Sequence, residues 1–235
     1  MADLYFRQLL SGRDFATTNP IAGQMVNFCY LIGDRDTGEC VVVDPAWDVQ
    51  GIVEAAGADG MTISGALVTH YHPDHIGGSM YGIEVEGLRE LMAANPCPVH
   101  AHRAEVDGIR VMTGLEANDL VLHDSGDKVE VGGVAIELLH TPGHTPGSLC
   151  FRLDDALVAG DTLFLQGCGR VDLPGGDTEE MFRTLHERLS GLPGETILYP
   201  GHDYGGASAS FDHVRQTNMY LRMNKREDWV QMMGG

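Results

Sequence analysis

Three imidazoles and one carboxylate fall within six residues in the segment Thr69-His70-Tyr71-His72-Pro73-Asp74-His75. His70 and His72, two residues apart, project to the same side of an extended backbone. Pro73 turns the chain before Asp74 and His75. The pattern H-x-H-x-D-H can therefore hold two metal ions side by side, one on each pair. Neutral imidazole suits zinc, and the carboxylate adds an oxygen ligand and charge compensation. One or two clustered histidines would read as a surface loop. Three with an aspartate at this spacing point to metal.

Further ligands must come from other parts of the chain. Three polar side chains stand beside glycine just after an apolar stretch. They are His144 in Thr141-Pro142-Gly143-His144-Thr145-Pro146-Gly147, Asp161 in Ala159-Gly160-Asp161-Thr162, and His202 in Tyr199-Pro200-Gly201-His202-Asp203. Any one alone is a turn residue by default. With the first segment they make five histidines and two aspartates in a repeating strand-then-loop context.

The elements that would carry these loops alternate along the chain. Short β-rich runs predict strands at Phe28–Ile32, Cys40–Asp44, Ile63–Thr69, Pro98–His102 and Thr196–Tyr199. Lys128–Val131 and Val134–Leu139 flank Gly132-Gly133, a hairpin signal, and Leu149–Leu153 and Ala156–Ala159 flank Asp154-Asp155. Helical spacing appears at Val49–Ala56, Glu86–Ala94, Thr178–Leu189 and Ser208–Met223, the third opening on an Asp177/Thr178 cap. No low-complexity linker or repeat divides the chain, so residues 1–235 read as one domain. The class is α/β, with sheets in the middle and helices outside.

The composition agrees. Of 235 residues, 43% are hydrophobic, enough for a real core and against a disordered chain. No apolar run approaches the ~20 residues that span a bilayer. The first residues lack the apolar segment of a signal peptide, so the expected compartment is the cytoplasm. With 15 basic and 34 acidic residues the formal charge is −19, which repels phosphate backbones and argues against nucleic acid as a partner. Five cysteines, odd in number and without a C-x-x-C pair, suit free thiols in a reducing compartment.

His70, His72, Asp74, His75, His144, Asp161 and His202, in this order, resemble the metallo-β-lactamase superfamily. The resemblance runs from about Phe28 to Tyr204. It implies an αββα sandwich of two mixed β-sheets flanked by helices, with metals in a cleft at one edge. It implies that His70, His72 and His144 bind a first metal, that Asp74, His75 and His202 bind a second, and that Asp161 bridges them. Two zinc ions so held would generate a hydroxide that attacks a substrate carbonyl. Asp74 is the catalytic candidate, binding metal while orienting the hydroxide or shuttling a proton.

The bridging Asp161 is unlike the true β-lactamases. Gly160-Asp161-Thr162-Leu163-Phe164, the stretch Gly167-Cys168-Gly169-Arg170-Val171-Asp172, and Pro200-Gly201-His202-Asp203-Tyr204 resemble the glyoxalase II-like branch, whose members hydrolyse hydroxyacylglutathione thioesters. The same pieces also resemble the glutathione persulfide dioxygenases. Those use one iron, which by matching positions would sit on His70, His144 and Asp161. The segment from Ser79 to Thr113 departs from the compact dioxygenase pattern. Asn218-Met219-Tyr220-Leu221 stands in place of that family's Asn-Pro-Arg, with Arg222 nearby. The longer glyoxalase II enzymes carry a C-terminal helical domain, for all of which this chain is too short. The expectation is a dinuclear zinc hydrolase of a small-molecule thioester, possible glutathione conjugates included. The alternatives are the mononuclear iron dioxygenase and a non-catalytic, metal-bound binding protein on the same fold.

Arg170 and Tyr204 are the substrate-contact candidates. A guanidinium can anchor a carboxylate, although Asp172 two residues on offers a purely structural pair. Tyr204 either meets substrate or packs. Cys168 reads as a small buried residue, and Asp203 as a structural group behind His202. His100 and His102 repeat the H-x-H spacing but read as a strand-end pair, and His123, His140, His186 and His213 are isolated. Met80 to Leu91 and Met112 suit a core stripe or an apolar lip over the cleft. Trp229 is a packing contact or part of a homo-oligomer interface.

Overall fold

Strand and turn signals resolve into two sheets stacked face to face. The computed structural model describes residues 2–233. Strands β1 (Leu4–Leu10), β2 (Phe28–Asp34), β3 (Glu39–Val43) and β4 (Thr62–Leu67) open the first sheet. A separate hairpin follows, β5 (Gly78–Met80) and β6 (Ile83–Val85), and then β7 (Val99–His102) and β8 (Leu120–His123). The first sheet has the order β1-β2-β3-β4-β7-β8, antiparallel up to β3 and parallel beyond it. The second contains β9 (Lys128–Val131), β10 (Val134–His140), β11 (Leu149–Arg152), β12 (Ala156–Gly160), β13 (Ile197–Pro200) and β14 (Ala209–Ser210). Its order is the reverse of the chain order, and only β12 and β13 run parallel.

Helices α1 (Pro20–Met25), α2 (Val49–Ala58), α3 (Pro73–Ile76), α4 (Leu88–Ala94) and α5 (Val106–Thr113) belong to the first half. Helices α6 (Thr178–Arg183), α7 (Phe211–Thr217), α8 (Met219–Arg222) and α9 (Arg226–Met233) belong to the second. Three apolar clusters give the layers. Phe28, Tyr30, Ile32 and Val41 meet Val129, Ile136, Leu138 and Phe151 between the sheets. Cys29, Leu31 and Val42, on the opposite face, pack under Ala22, Ile52, Leu88 and Ile109 from the helices. Cys150, Leu157 and Leu198 pack under Met181, Phe211 and Trp229. Alternation along β2 thus buries both faces, which is why its sequence is an unbroken apolar run. The architecture is the expected αββα sandwich, each sheet mixed and flanked by helices.

The structure adds elements that apolar spacing did not mark: β1, the β5–β6 hairpin, α5 and β8. It also corrects the last helix. Ser208–Met223 is not continuous, because Asn218 adopts an extended backbone (φ −76°, ψ 117°) between α7 and α8. Its side chain explains the break. Asn218 Nδ2 donates to the Phe164 and Gly167 carbonyls at 3.0 and 2.9 Å, while Oδ1 caps α8 through Tyr220 N. A buried side chain serving a distant loop has overridden local helical preference. At α6 the Asp177 cap forms as the sequence suggests, accepting from Glu179 N and Glu180 N.

Candidate metal centre

The loops leaving the strand ends meet at one edge of the sandwich. Three backbone hydrogen bonds stitch them together: Leu149 N to Thr69 O (2.8 Å), Phe28 N to Gly201 O (2.8 Å) and Gly201 N to Gly160 O (2.7 Å). The loop after β4 delivers His70 and His72, and α3 delivers Asp74 and His75. The β10–β11 connection delivers His144, the end of β12 Asp161, and the end of β13 His202. The glycines beside them leave room. A Cβ on Gly201 would overlap Asp161 Oδ1, and one on Gly169 would overlap the Asp161 carbonyl and crowd the His144 ring.

Two donor groups consist of the sequence candidates alone. His70, His72 and His144 form the first, with one ligand atom from each lying within 4.8 Å of the others. Asp74, His75 and His202 form the second by the same measure. In the second group His75 Nε2 is 3.2 Å from His202 Nε2, and Asp74 Oδ2 is 3.5 and 3.3 Å from those two nitrogens. Donors bound at 2.0–2.1 Å to one tetrahedral zinc lie about 3.3–3.4 Å apart, so the spacing fits. Asp161 stands between the groups. Its Oδ1 is 3.4 Å from His75 Nε2, and its Oδ2 is 3.4 Å from His202 Nε2 and 3.8 Å from His144 Nε2.

Each of four rings is fixed from behind. His144 Nδ1 donates to the Arg170 carbonyl and His202 Nδ1 to the Met25 carbonyl, both at 2.7 Å. His75 Nδ1 meets Asp44 Oδ2 at 2.9 Å. Thr69 Oγ1 donates to the same Asp44 oxygen at 2.6 Å and accepts from His70 Nδ1 at 2.9 Å. Fixing Nδ1 as the protonated nitrogen leaves each Nε2 lone pair facing inward. His70 Nε2, His144 Nε2 and Asp161 Oδ1 are buried there without a hydrogen-bond partner. Buried polar atoms are rarely left so, and a cation would satisfy all three.

Electrostatics separates the groups. Burial, together with neighbouring imidazoles, lowers His70 and His144 and brings His72 down to about 4. The first group is therefore neutral and ready to ligate. Burial also opposes charge on His75 and His202, but Asp161 and Asp74 outweigh it, carrying His202 up to about 10 and His75 well above its usual range. Those two carboxylates, held below the usual carboxylate range by the same rings, supply the negative field that a dication needs.

A superfamily profile described as metallo-beta-lactamase matches residues 22–202. The chain belongs to the metallo-β-lactamase superfamily. It is 36% identical to the human mitochondrial persulfide dioxygenase ETHE1 over 88% of this chain and 76% of that one. It is 38% identical to the hydroxyacylglutathione hydrolase of Methylococcus capsulatus over 79% of this chain and 65% of that one. Among solved structures, ETHE1 from Myxococcus xanthus superposes with a TM-score of 0.79 at 27% identity, covering 98% of this chain and 90% of that one.

Above the superfamily's metal edge lies a cavity of about 780 Å³. Arg170 and Tyr204 both line it. Arg170 holds Asp172 with two hydrogen bonds of 2.9 and 2.7 Å, so the structural pair is formed. Tyr204 is half exposed and stacks on His202, ring centroids 4.7 Å apart and planes 5° apart. Burial pushes the Cys168 thiol up to about 12, which makes it inert at neutral pH. Asp203 accepts from Gly206 N and holds the loop. His100 pairs with His123 at 2.9 Å, and His102 stacks on His140, away from the seven candidates. Trp229 is fully buried within this chain, donating to Thr178 O, so it is a packing contact.

Three positioning residues escaped the sequence reading. Asp44, with a left-handed φ of 55°, accepts from Thr69 N as well as from Thr69 Oγ1 and His75. It ends an apolar strand, the same signal that marked Asp161. Asn27 donates to Asp74 Oδ2 and accepts from Trp47 Nε1. Glu105, fully buried, accepts from Tyr71 N (2.7 Å), Thr145 Oγ1 (2.8 Å) and Gly147 N (2.6 Å). It clamps the residues beside His70, His72 and His144, and nothing in its local sequence announces that.

Proposed function

We propose that this chain is a dinuclear metal-dependent hydrolase of a thioester or similar carbonyl substrate, close in chemistry to hydroxyacylglutathione hydrolases. The observation that carries the reading is a second full donor group, Asp74–His75–His202, joined to the first through Asp161. Two zinc ions would be held, one by each group. Bound there, such a pair supplies an acidified water and a Lewis acid for the carbonyl. Asp161 holds the groups in register, and Asp74, fixed by Asn27, is placed to take a proton from the nucleophile. Attack forms a C–O bond and breaks the C–S bond. The departing thiolate takes the proton that the water gave up. Arg170 and Tyr204, on the wall of the same cavity, are the proposed substrate contacts.

A second reading is supported by the 36% identity to human ETHE1, a persulfide dioxygenase. It needs one iron on His70, His144 and Asp161, of which His144 Nε2 and Asp161 Oδ2 stand 3.8 Å apart. Metal analysis of protein purified without added metal separates the two, with a thioester hydrolysis assay beside it. Two zinc per chain with thioester turnover supports the hydrolase. One iron with oxygen uptake on glutathione persulfide sinks it. A binding protein with neither activity is the third outcome. We also propose a single domain over residues 1–235 and a cytoplasmic setting. All five cysteines are free, and no helix among the described residues is long and apolar enough to cross a membrane.

A further inference from the structure

We infer that the cleft selects an uncharged, flexible apolar acyl group, and not a substrate anchored through its carboxylates. The inference rests on the hydrolase reading of the same site. Its basis is what lines the 780 Å³ cavity above the metal edge. Met25 arrives from the end of α1, Met80 from β5 and Met112 from α5. Phe164, Leu173 and Pro174 come from the loops after β12. Three methionines from three separate elements thus line one cavity. Thioether side chains are unbranched and adapt to irregular or variable apolar shapes.

Charge points the same way. Among the described residues lining the cavity Arg170 is the one Lys or Arg, and its Nε and one Nη already rest on Asp172. A glutathione carrier brings two carboxylates into a chain of net charge −19, and among the described residues the lining has no second Lys or Arg to receive them. An apolar acyl chain needs none. At the mouth, Tyr81 sits in the β5–β6 turn with φ 50° and is 93% exposed. A bulky residue in the left-handed region is strained, and its ring lines the cavity instead of packing in the core. The hairpin thereby presents Tyr81 and Met80 together over the opening.

The test uses zinc-loaded protein and a matrix of thioesters: acetyl, butyryl, hexanoyl and octanoyl groups, each on N-acetylcysteamine and on glutathione. A fully buried methylene is worth about a fourfold gain in kcat/KM. Since the cleft is open on one side, at least a tenfold rise from acetyl to hexanoyl is expected on the uncharged carrier. Changing the carrier to glutathione should alter kcat/KM by less than threefold. Met112→Asp should lower the hexanoyl-to-acetyl ratio of kcat/KM at least tenfold, and Met112→Leu should leave that ratio within threefold of wild type. A flat chain-length profile, or a tenfold preference for glutathione, overturns the inference and leaves the hydrolase reading standing. If no thioester is turned over, the hydrolase reading fails, and titration calorimetry with S-methyl and S-hexyl N-acetylcysteamine thioethers decides the cleft separately. A tenfold tighter hexyl complex supports it, and equal affinities overturn it.

Discussion

Replacing Glu105 with Gln should damage one donor group and spare the other. The Glu105 carboxylate ties Tyr71 N to Thr145 Oγ1 and Gly147 N. It therefore fixes the backbone on both sides of the gap between His70–His72 and His144. All three partners donate. A glutamine can keep its oxygen toward Thr145 and Gly147, but its amide NH2 then faces the Tyr71 N–H, which has no other acceptor nearby. The loss of one hydrogen bond to a buried charged group, with its donor stranded, costs about 1.5–3 kcal/mol. Burial raises Glu105 to about 7, so the comparison belongs at pH 8, where the carboxylate is ionised. The melting midpoint should drop by roughly 3–10 °C. Affinity for metal at the His70–His72–His144 group should fall about 10–100-fold, the usual effect of losing an outer partner of a ligand. Competition against a chromophoric chelator resolves two dissociation constants, and His72→Ala and His202→Ala assign them. If both constants weaken equally, or the first stays within twofold of wild type while the midpoint falls, Glu105 is a stability residue only and the clamp argument is wrong.

Other consequences are as direct. Asp161→Ala should abolish turnover and weaken metal at both groups, read by metal content and the thioester assay; retained activity refutes the bridging role. Asp44→Asn should weaken chiefly the Asp74–His75–His202 group, about tenfold or more, because His75 Nδ1 loses its carboxylate. In metal-free protein, the folded His202 value of about 10 lies above the unfolded value near 6.5, so its contribution to stability is present below pH 6.5 and lost as pH rises toward 10. Zinc replaces that proton, so the gap between loaded and metal-free melting midpoints should widen from pH 7 to 9.5. Arg170→Ala should leave the chemical-denaturation midpoint close to that of wild type, since its pair with Asp172 is exposed.

The parts of this molecule that were legible in its sequence share a local signature. Apolar runs mark β2, β3, β11 and β12 because both faces of each strand are buried by the fold's own layers, and alternation marks β9 and the start of β10 because one face there meets solvent. His70 to His75 are legible because four candidate ligands fall within six residues, and His144, Asp161 and His202 because each follows an apolar stretch and sits beside a glycine in the sequence. Asp44 and Glu105 are not, for a physical reason. Asp44 acts on Thr69 and His75, 25 and 31 residues away, and Glu105 on Tyr71, Thr145 and Gly147, 34, 40 and 42 residues away. A buried carboxylate is specified by what it accepts from, and no window of neighbouring residues contains its partners. The break at Asn218 has the same origin, since its amide answers to carbonyls 54 and 51 residues back.

This division has an energetic consequence for the centre itself. The seven candidates are held by loops from both sheets, and the cross-sheet stitches at Thr69 and Gly201 lie immediately beside them. In the absence of a cation, three buried atoms there lack partners, while Asp74 and Asp161 set two carboxylates among rings that burial would rather keep neutral. The edge where the sheets meet is thus the least satisfied region of an otherwise apolar sandwich. Ions that bind the assembled edge, and not the unfolded chain, draw their affinity from the same interactions that close the sandwich. Outer partners such as Asp44, Asn27 and Glu105 set how much of that closure exists before the metal arrives.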